Sequence, residues 1–204
     1  GDFVVLNYRP DSVIKIRNLS ENIVFENLTF YSSPGGGIFA RRSAGLHEIR
    51  NVKMIRGATP AGAAEPRLLA LGADGVNYAT CRQGPLVENC EFAYLGDDSV
   101  NFHGSPMRVV KVDKDSFYAA VGYRPTEYLQ LIQAGDPVRF LAKDNYQILG
   151  QAQIKQVEIA PDIPNLDKKM IYPAGPIPEY LILRFTTAGN ELPEVGTTVD
   201  FPRL

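Results

Sequence analysis

No stretch of this sequence approaches the ~20 consecutive apolar residues that a helix needs to cross a bilayer. The opening GDFVVLNYRP, from Gly1, lacks the layout of a signal peptide and reads as strand, so a mature, trimmed or partial chain is expected. Cysteine is scarce: Cys81 and Cys90 are the two present, with no CxxC and no Cys/His cluster. A metal site is therefore not expected. The pair reads as two buried thiols rather than a disulfide, because Cys90 falls at an inward-looking position of a repeat described below. Charge of neither sign dominates, with 21 Lys and Arg against 23 Asp and Glu. Nothing suggests a phosphate-binding surface or an acidic tail, and nucleic-acid and membrane roles have no support. Helical periodicity is absent too, apart from a turn expected near Thr126 to Gln133.

What is present is a chain of 204 residues with 45% apolar content, enough for a sizeable core in one large domain or two small ones. Its first half holds an internal repeat. Glu26-Asn27-Leu28-Thr29-Phe30, Arg50-Asn51-Val52-Lys53-Met54 and Glu88-Asn89-Cys90-Glu91-Phe92 share one pattern: polar, Asn, apolar, polar, large apolar. Alternation of this kind is a strand signal. An apolar-rich strand precedes each, carried by Ile23 to Phe25, by Leu46 and Ile49, and by Leu86 and Val87.

A second strand type follows each segment: Gly37-Ile38-Phe39, Asp74-Gly75-Val76-Asn77-Tyr78 and Asp98-Ser99-Val100-Asn101-Phe102. Asn27 to Ile38 and Asn89 to Val100 are both 11 residues, while Asn51 to Val76 is 25, or 11 plus a 14-residue insertion. The insertion belongs in the Gly-, Pro- and Ala-rich stretch from Gly57 to Pro66. The basic coil is thus 24 residues with at least two short strands, the spacing of a β-solenoid. The recurring Asn is expected to start an inward-pointing strand and bond its counterpart one coil away; a plain turn marker is the other reading.

From about Met107 the repeat disappears. Strand-like runs at 108–112, 116–121, 137–141, 154–157 and 180–185 are separated by Asp, Gly and Pro, which suggests a small antiparallel barrel or sandwich. Gly135-Asp136-Pro137-Val138-Arg139-Phe140 resembles Gly196-Thr197-Thr198-Val199-Asp200-Phe201. The division expected is therefore 1–106 for the coils and 107–204 for the barrel.

Chemistry concentrates in Leu95-Gly96-Asp97-Asp98-Ser99-Val100-Asn101-Phe102-His103-Gly104. Neighbours on a strand point to opposite faces, so Asp97 and Asp98 share a face only if the backbone bends, which Gly96 permits. Asp74 precedes Asp98 by 24 residues, one coil, and so should lie about one strand spacing (~4.8 Å) from it. Val76 should then stack on Val100, Asn77 on Asn101 and Tyr78 on Phe102. Three carboxylates at one spot repel one another and push at least one toward its protonated form. Such clusters are usually functional, although a bound cation or a solvated turn would also use them. Inverting glycoside hydrolysis needs one protonated carboxyl as general acid and one carboxylate as general base, roughly 6.5–9.5 Å apart. Three acids over two coils can supply that pair.

The run from Pro66 to Gly104 resembles glycoside hydrolase family 110, the α-1,3-galactosidases, on Ala73-Asp74-Gly75, Cys81-Arg82, Glu88-Asn89-Cys90-Glu91-Phe92 and Gly96-Asp97-Asp98 leading to Asn101 and His103-Gly104. The Ser33-Pro34-Gly35 loop fits as well. The resemblance implies a right-handed parallel β-helix with a small inserted β-barrel, and an inverting exo-hydrolase releasing terminal α-linked galactose from an oligosaccharide. It implies Asp74, Asp97 and Asp98 as the catalytic carboxylates and no cofactor. By analogy with polygalacturonases, Asp97 would be the general acid, and Asp74 and Asp98 would hold and activate water. His103, Asn77, Arg67 and Arg41 are the candidates for sugar contacts, Arg67 equally a structural cap, while His47 reads as ordinary surface. The chain has no Trp, so Tyr78, Phe102 or Tyr94 would have to serve as the sugar-stacking platform. A secreted or periplasmic location follows from the resemblance alone, and self-association stays open. Family members carry further coils on both sides, so a fragment is expected. The competing readings are a non-catalytic carbohydrate-binding β-helix module, and a pectin-degrading enzyme, for which Arg67 and Arg82 offer little basic surface.

Overall fold

The computed structural model describes residues 11–104, 106–122, 129–167, 171, 180–189 and 191–202. The opening strand expected at 1–10 and the first part of the turn expected from Thr126 lie outside them. The chain divides into two compact units, Gly1–His103 and Gly104–Leu204. Among the described residues both are built mainly of strands.

The described residues of the first unit contain ten short strands: β1 Ile14–Ile16, β2 Val24–Glu26, β3 Thr29–Phe30, β4 Ile38–Arg41, β5 Glu48–Arg50, β6 Lys53–Met54, β7 Val76–Ala79, β8 Leu86–Glu88, β9 Glu91–Phe92 and β10 Val100–His103. They sort into three parallel sheets, β1-β4-β7-β10, β2-β5-β8 and β3-β6-β9. Each sheet takes every third strand, so the chain visits the three in rotation. Ile14 pairs Ile38, Ile38 pairs Val76 and Val76 pairs Val100. One round is therefore 24 residues, and the 14 extra fall between β6 and β7.

Each round has three strands because the recurring asparagine bends the chain between the second and third. Asn27, Asn51 and Asn89 sit at φ 58, 51 and 52°, a left-handed conformation that Asn tolerates better than most residues. All three are exposed. This corrects the expectation that each asparagine starts an inward-pointing strand and favours the turn reading: they are corner residues, and their backbone makes a contact between rounds, Asn27 N–H donating to Arg50 O at 3.1 Å and Asn51 N–H to Glu88 O at 3.1 Å.

Between the sheets lies a core of Ile16, Ile38, Ala40, Ile49, Val52, Met54, Leu71, Val76 and Tyr78. Rounds approach closely where glycine stands. A Cβ on Gly75 would lie 2.7 Å from Ser99 O, and one on Gly37 2.4 Å from Gly75 O. Both cysteines are free thiols. Cys81 is buried, its Sγ 3.5 Å from Ala79 O, and burial pushes its thiol above the ordinary range. Thiolate is the reactive form, so Cys81 should resist iodoacetamide at pH 8 until the unit is unfolded in urea. Mass spectrometry of native and denatured protein checks this; full alkylation of native Cys81 within minutes would contradict it.

His47 corrects a second expectation. It is fully buried, with Nε2 3.2 Å from Ser20 O and 3.0 Å from Ser43 Oγ, and Nδ1 3.0 Å from the Tyr78 hydroxyl. A carbonyl only accepts, so Nε2 carries the proton and Nδ1 accepts from Tyr78. Desolvation in this site lowers the imidazole's pKa, against a smaller opposing effect from the Ser20 carbonyl. The unfolded chain, at about 6.5, therefore binds the proton first. Stability should fall as pH drops below that value and continue falling until the folded pKa is passed. Urea midpoints at pH 8 and 5.5 should differ more in the wild type than in His47→Gln; equal differences would remove His47 from the account.

In the second unit, β11 Met107–Val112, β12 Ser116–Gly122, β13 Pro137–Leu141, β14 Ile148–Ile159, β15 Tyr180–Ala188 and β16 Thr198–Asp200 form a closed antiparallel barrel in the order β11-β12-β15-β14-β13-β16. Phe117 and Phe185 stack at its centre, with centroids 4.9 Å apart, beside Phe140 and Phe201. The two similar segments noted in the sequence have the same local structure. Gly135 (φ 87°) and Gly196 (φ 91°) end matching turns before β13 and β16, and these strands pair with Phe140 opposite Val199.

Candidate active site

The turns into β7 and β10 carry the acids. Gly75 N–H donates to Asp98 O at 2.9 Å and Val76 N–H to Ser99 O at 3.0 Å, which continues the β7–β10 register backward and sets Asp74 beside Asp98. Val76 faces Val100, Asn77 faces Asn101 and Tyr78 faces Phe102. Asp74 is 6% exposed, whereas Asp97 and Asp98 are open to solvent.

Each strand anchors its acid in the same way. Asn77 Nδ2 donates to Asp74 Oδ2, and one round later Asn101 Nδ2 donates to Asp98 Oδ2 at 3.0 Å. Asp97 Oδ1 accepts the Asp98 backbone N–H at 3.1 Å, which holds it at the bend. Arg41, on β4, extends the chain of bonds: its Nη1 donates to Asn77 Oδ1 at 2.8 Å and to Asn77 O at 3.2 Å. Thus Arg41, Asn77 and Asp74 form one connected set. The Asn77 amide thus links the Arg41 cation to the buried carboxylate.

Of the other residues singled out, His103 ends β10 and is exposed, and its carbonyl accepts Thr80 N–H at 3.1 Å. By register it lies in one column with Ala79 and Arg41. Arg67 is exposed just past the insertion, and its carbonyl accepts Arg56 Nη1 at 3.1 Å. No hydrogen bond or ion pair brings its side chain to the acids among the described residues. Tyr78 is buried and bonded to His47. Sequence reasoning missed Asn101 as the anchor of Asp98. The signal was legible: the pattern Asp-x-Val-Asn occurs at Asp74 and again at Asp98. Among the described residues no group of three or more His, Cys, Asp or Glu side chains is disposed to hold a metal ion. Three neighbouring carboxylates, one sheltered and two in water, suit proton transfer to and from a bound molecule.

No protein-family model matches the chain. It is similar to curated proteins named alpha-1,3-galactosidase. That of Parabacteroides distasonis is 24% identical over 130 residues, 63% of this chain and 20% of the relative. That of Bacteroides fragilis is 25% identical over 139 residues, 68% of this chain and 22% of the relative. That of Akkermansia muciniphila is 27% identical over 161 residues, 76% of this chain and 19% of the relative. The chain spans about a fifth of the length of these relatives, and it resembles a fragment of a family 110 α-1,3-galactosidase.

Proposed function

We propose that this chain is the catalytic stretch of an inverting exo-glycosidase that releases terminal α-1,3-linked galactose, built on a right-handed parallel β-helix and acting outside the cytoplasm, secreted or periplasmic. The observation that carries the reading is the parallel register that sets Asp74 against Asp98 with Asp97 next in the chain. Three parallel sheets visited in rotation support the β-helix, and parallel crossovers are right-handed in nearly all proteins. The relatives' names support the galactoside.

In this reading Asp97, open to solvent, is the general acid. It donates its proton to the glycosidic oxygen as the bond from that oxygen to the anomeric carbon breaks. Asp74 and Asp98 hold a water on the opposite face; its oxygen bonds to the anomeric carbon and its proton passes to one of the two carboxylates. Arg41 and Asn77 keep Asp74 oriented, and His103 contacts a sugar hydroxyl. The test is galactose release from Galα1-3Gal and from the branched blood-group B trisaccharide, with NMR of the first-formed anomer. β-Galactose is expected. α-Galactose would overturn inversion, and no release from folded protein would favour a non-catalytic carbohydrate-binding module.

A further inference from the structure

We infer that Phe39 is the stacking platform for the galactosyl ring, an inference that rests on the galactoside reading above. The register supplies the first argument. Phe39 pairs Asn77, which pairs Asn101. In the two later rounds this column holds the amide that reaches back three residues to an aspartate, Asn77 to Asp74 and Asn101 to Asp98. In the earlier round the aspartate's place is taken by Gly36 and the asparagine's by Phe39. The phenyl ring makes the same backward reach: a Cβ on Gly36 would lie 2.2 and 2.3 Å from two ring carbons, and 3.1 Å from Asp74 O. Glycine is thus what lets the ring lie down over the main chain, one strand spacing from Asp74 and two from Asp98.

The second argument is exposure. On β4, Ile38 and Ala40 point into the core and are fully buried, while Phe39 and Arg41 alternate outward and are half-buried. Phe39 takes no part in the core cluster. The Arg41 guanidinium lies over the ring, 5.5 Å from its centroid. The half-buried ring and Arg41 stand next to Asn77 and Asp74, which are buried beside them. Phe102, expected from sequence as a platform, is 51% exposed and shares the column of Tyr78, edge-on to it at 5.9 Å.

Chemistry supplies the third. The axial 4-hydroxyl of galactose leaves the hydrogens of C3, C4 and C5 on one face. That apolar face suits a flat ring, and the hydroxyls at its edge suit the carboxylate and guanidinium beside it.

Saturation-transfer NMR with Galα1-3Gal tests this. Irradiating the protein's aromatic protons should give the strongest transfer to H3, H4 and H5 of the terminal galactose. Phe39→Ala should abolish that pattern and weaken binding about tenfold. Phe39→Tyr should stay within threefold of wild type, and Phe39→Leu, which keeps the volume but not the flat face, should behave as the alanine. Equal binding by wild type and by folded Phe39→Leu would overturn the inference and leave the galactoside reading standing. A folded wild type that neither binds nor cleaves any α-galactoside would overturn both.

Discussion

Asp97→Asn should lower galactose release from Galα1-3Gal by roughly 10²- to 10⁴-fold, the usual contribution of a positioned general acid. The decisive contrast is with p-nitrophenyl α-galactoside. A nitrophenolate leaves without protonation, so loss of the acid should matter at least tenfold less there. Asp98→Asn and Asp74→Asn remove groups that hold and deprotonate water, and should depress both substrates alike. Neither exposed-site variant should shift Tm by more than a few degrees, because Asp97 and Asp98 are open to solvent and Asn can take over their local hydrogen bonds. If Asp97→Asn loses equally on both substrates, Asp97 is not the acid, and the roles within the trio must be exchanged.

Phe185→Ala should cost the barrel about 3–5 kcal/mol, the range for removing a large aromatic from a packed core. Phe185 is fully buried, stacked on Phe117 at 4.9 Å and 5.6 Å from Phe201. It sits on β15, hydrogen-bonded on both sides, with Phe117 opposite on β12 and Val157 opposite on β14. The cavity cannot collapse without moving two strand pairings. Hydrogen exchange of the barrel amides reads the loss directly, while amides of β4 and β7 should stay protected. A loss under about 1 kcal/mol would mean that the three rings do not form one unit.

The repeat made much of the first unit legible. A fixed offset of 24 residues is a strong constraint in a parallel stack, because one residue of slip would turn every core side chain outward. That is why Val76, Asn77 and Tyr78 can be matched to Val100, Asn101 and Phe102 from spacing alone, and Asp74 to Asp98 with them. The number of strands per round was left at two or more, because the corner asparagine falls inside the repeated segment and leaves β3, β6 and β9 two residues each. Asn27 and its counterparts were misread because composition does not distinguish a left-handed corner from the start of a strand. His47 was misread as a lone polar residue. Its parity with Ile49, two residues on and fully buried, was the signal. Phe39 was hidden for a related reason: its meaning lies in what the same column holds one round later, and Gly36 with Phe39 looks nothing like Asp74 with Asn77 until the register is known.

The barrel is closed by its own ends: β11 and β16, first and last in the unit, hydrogen-bond to each other, Met107 opposite Val199. Neighbouring strands lie about 4.8 Å apart. A chain that enters such a unit leaves it almost where it came in. Evolution can splice a module of this kind into a tight loop of another fold, or trim it away, without pulling the host's flanking strands apart.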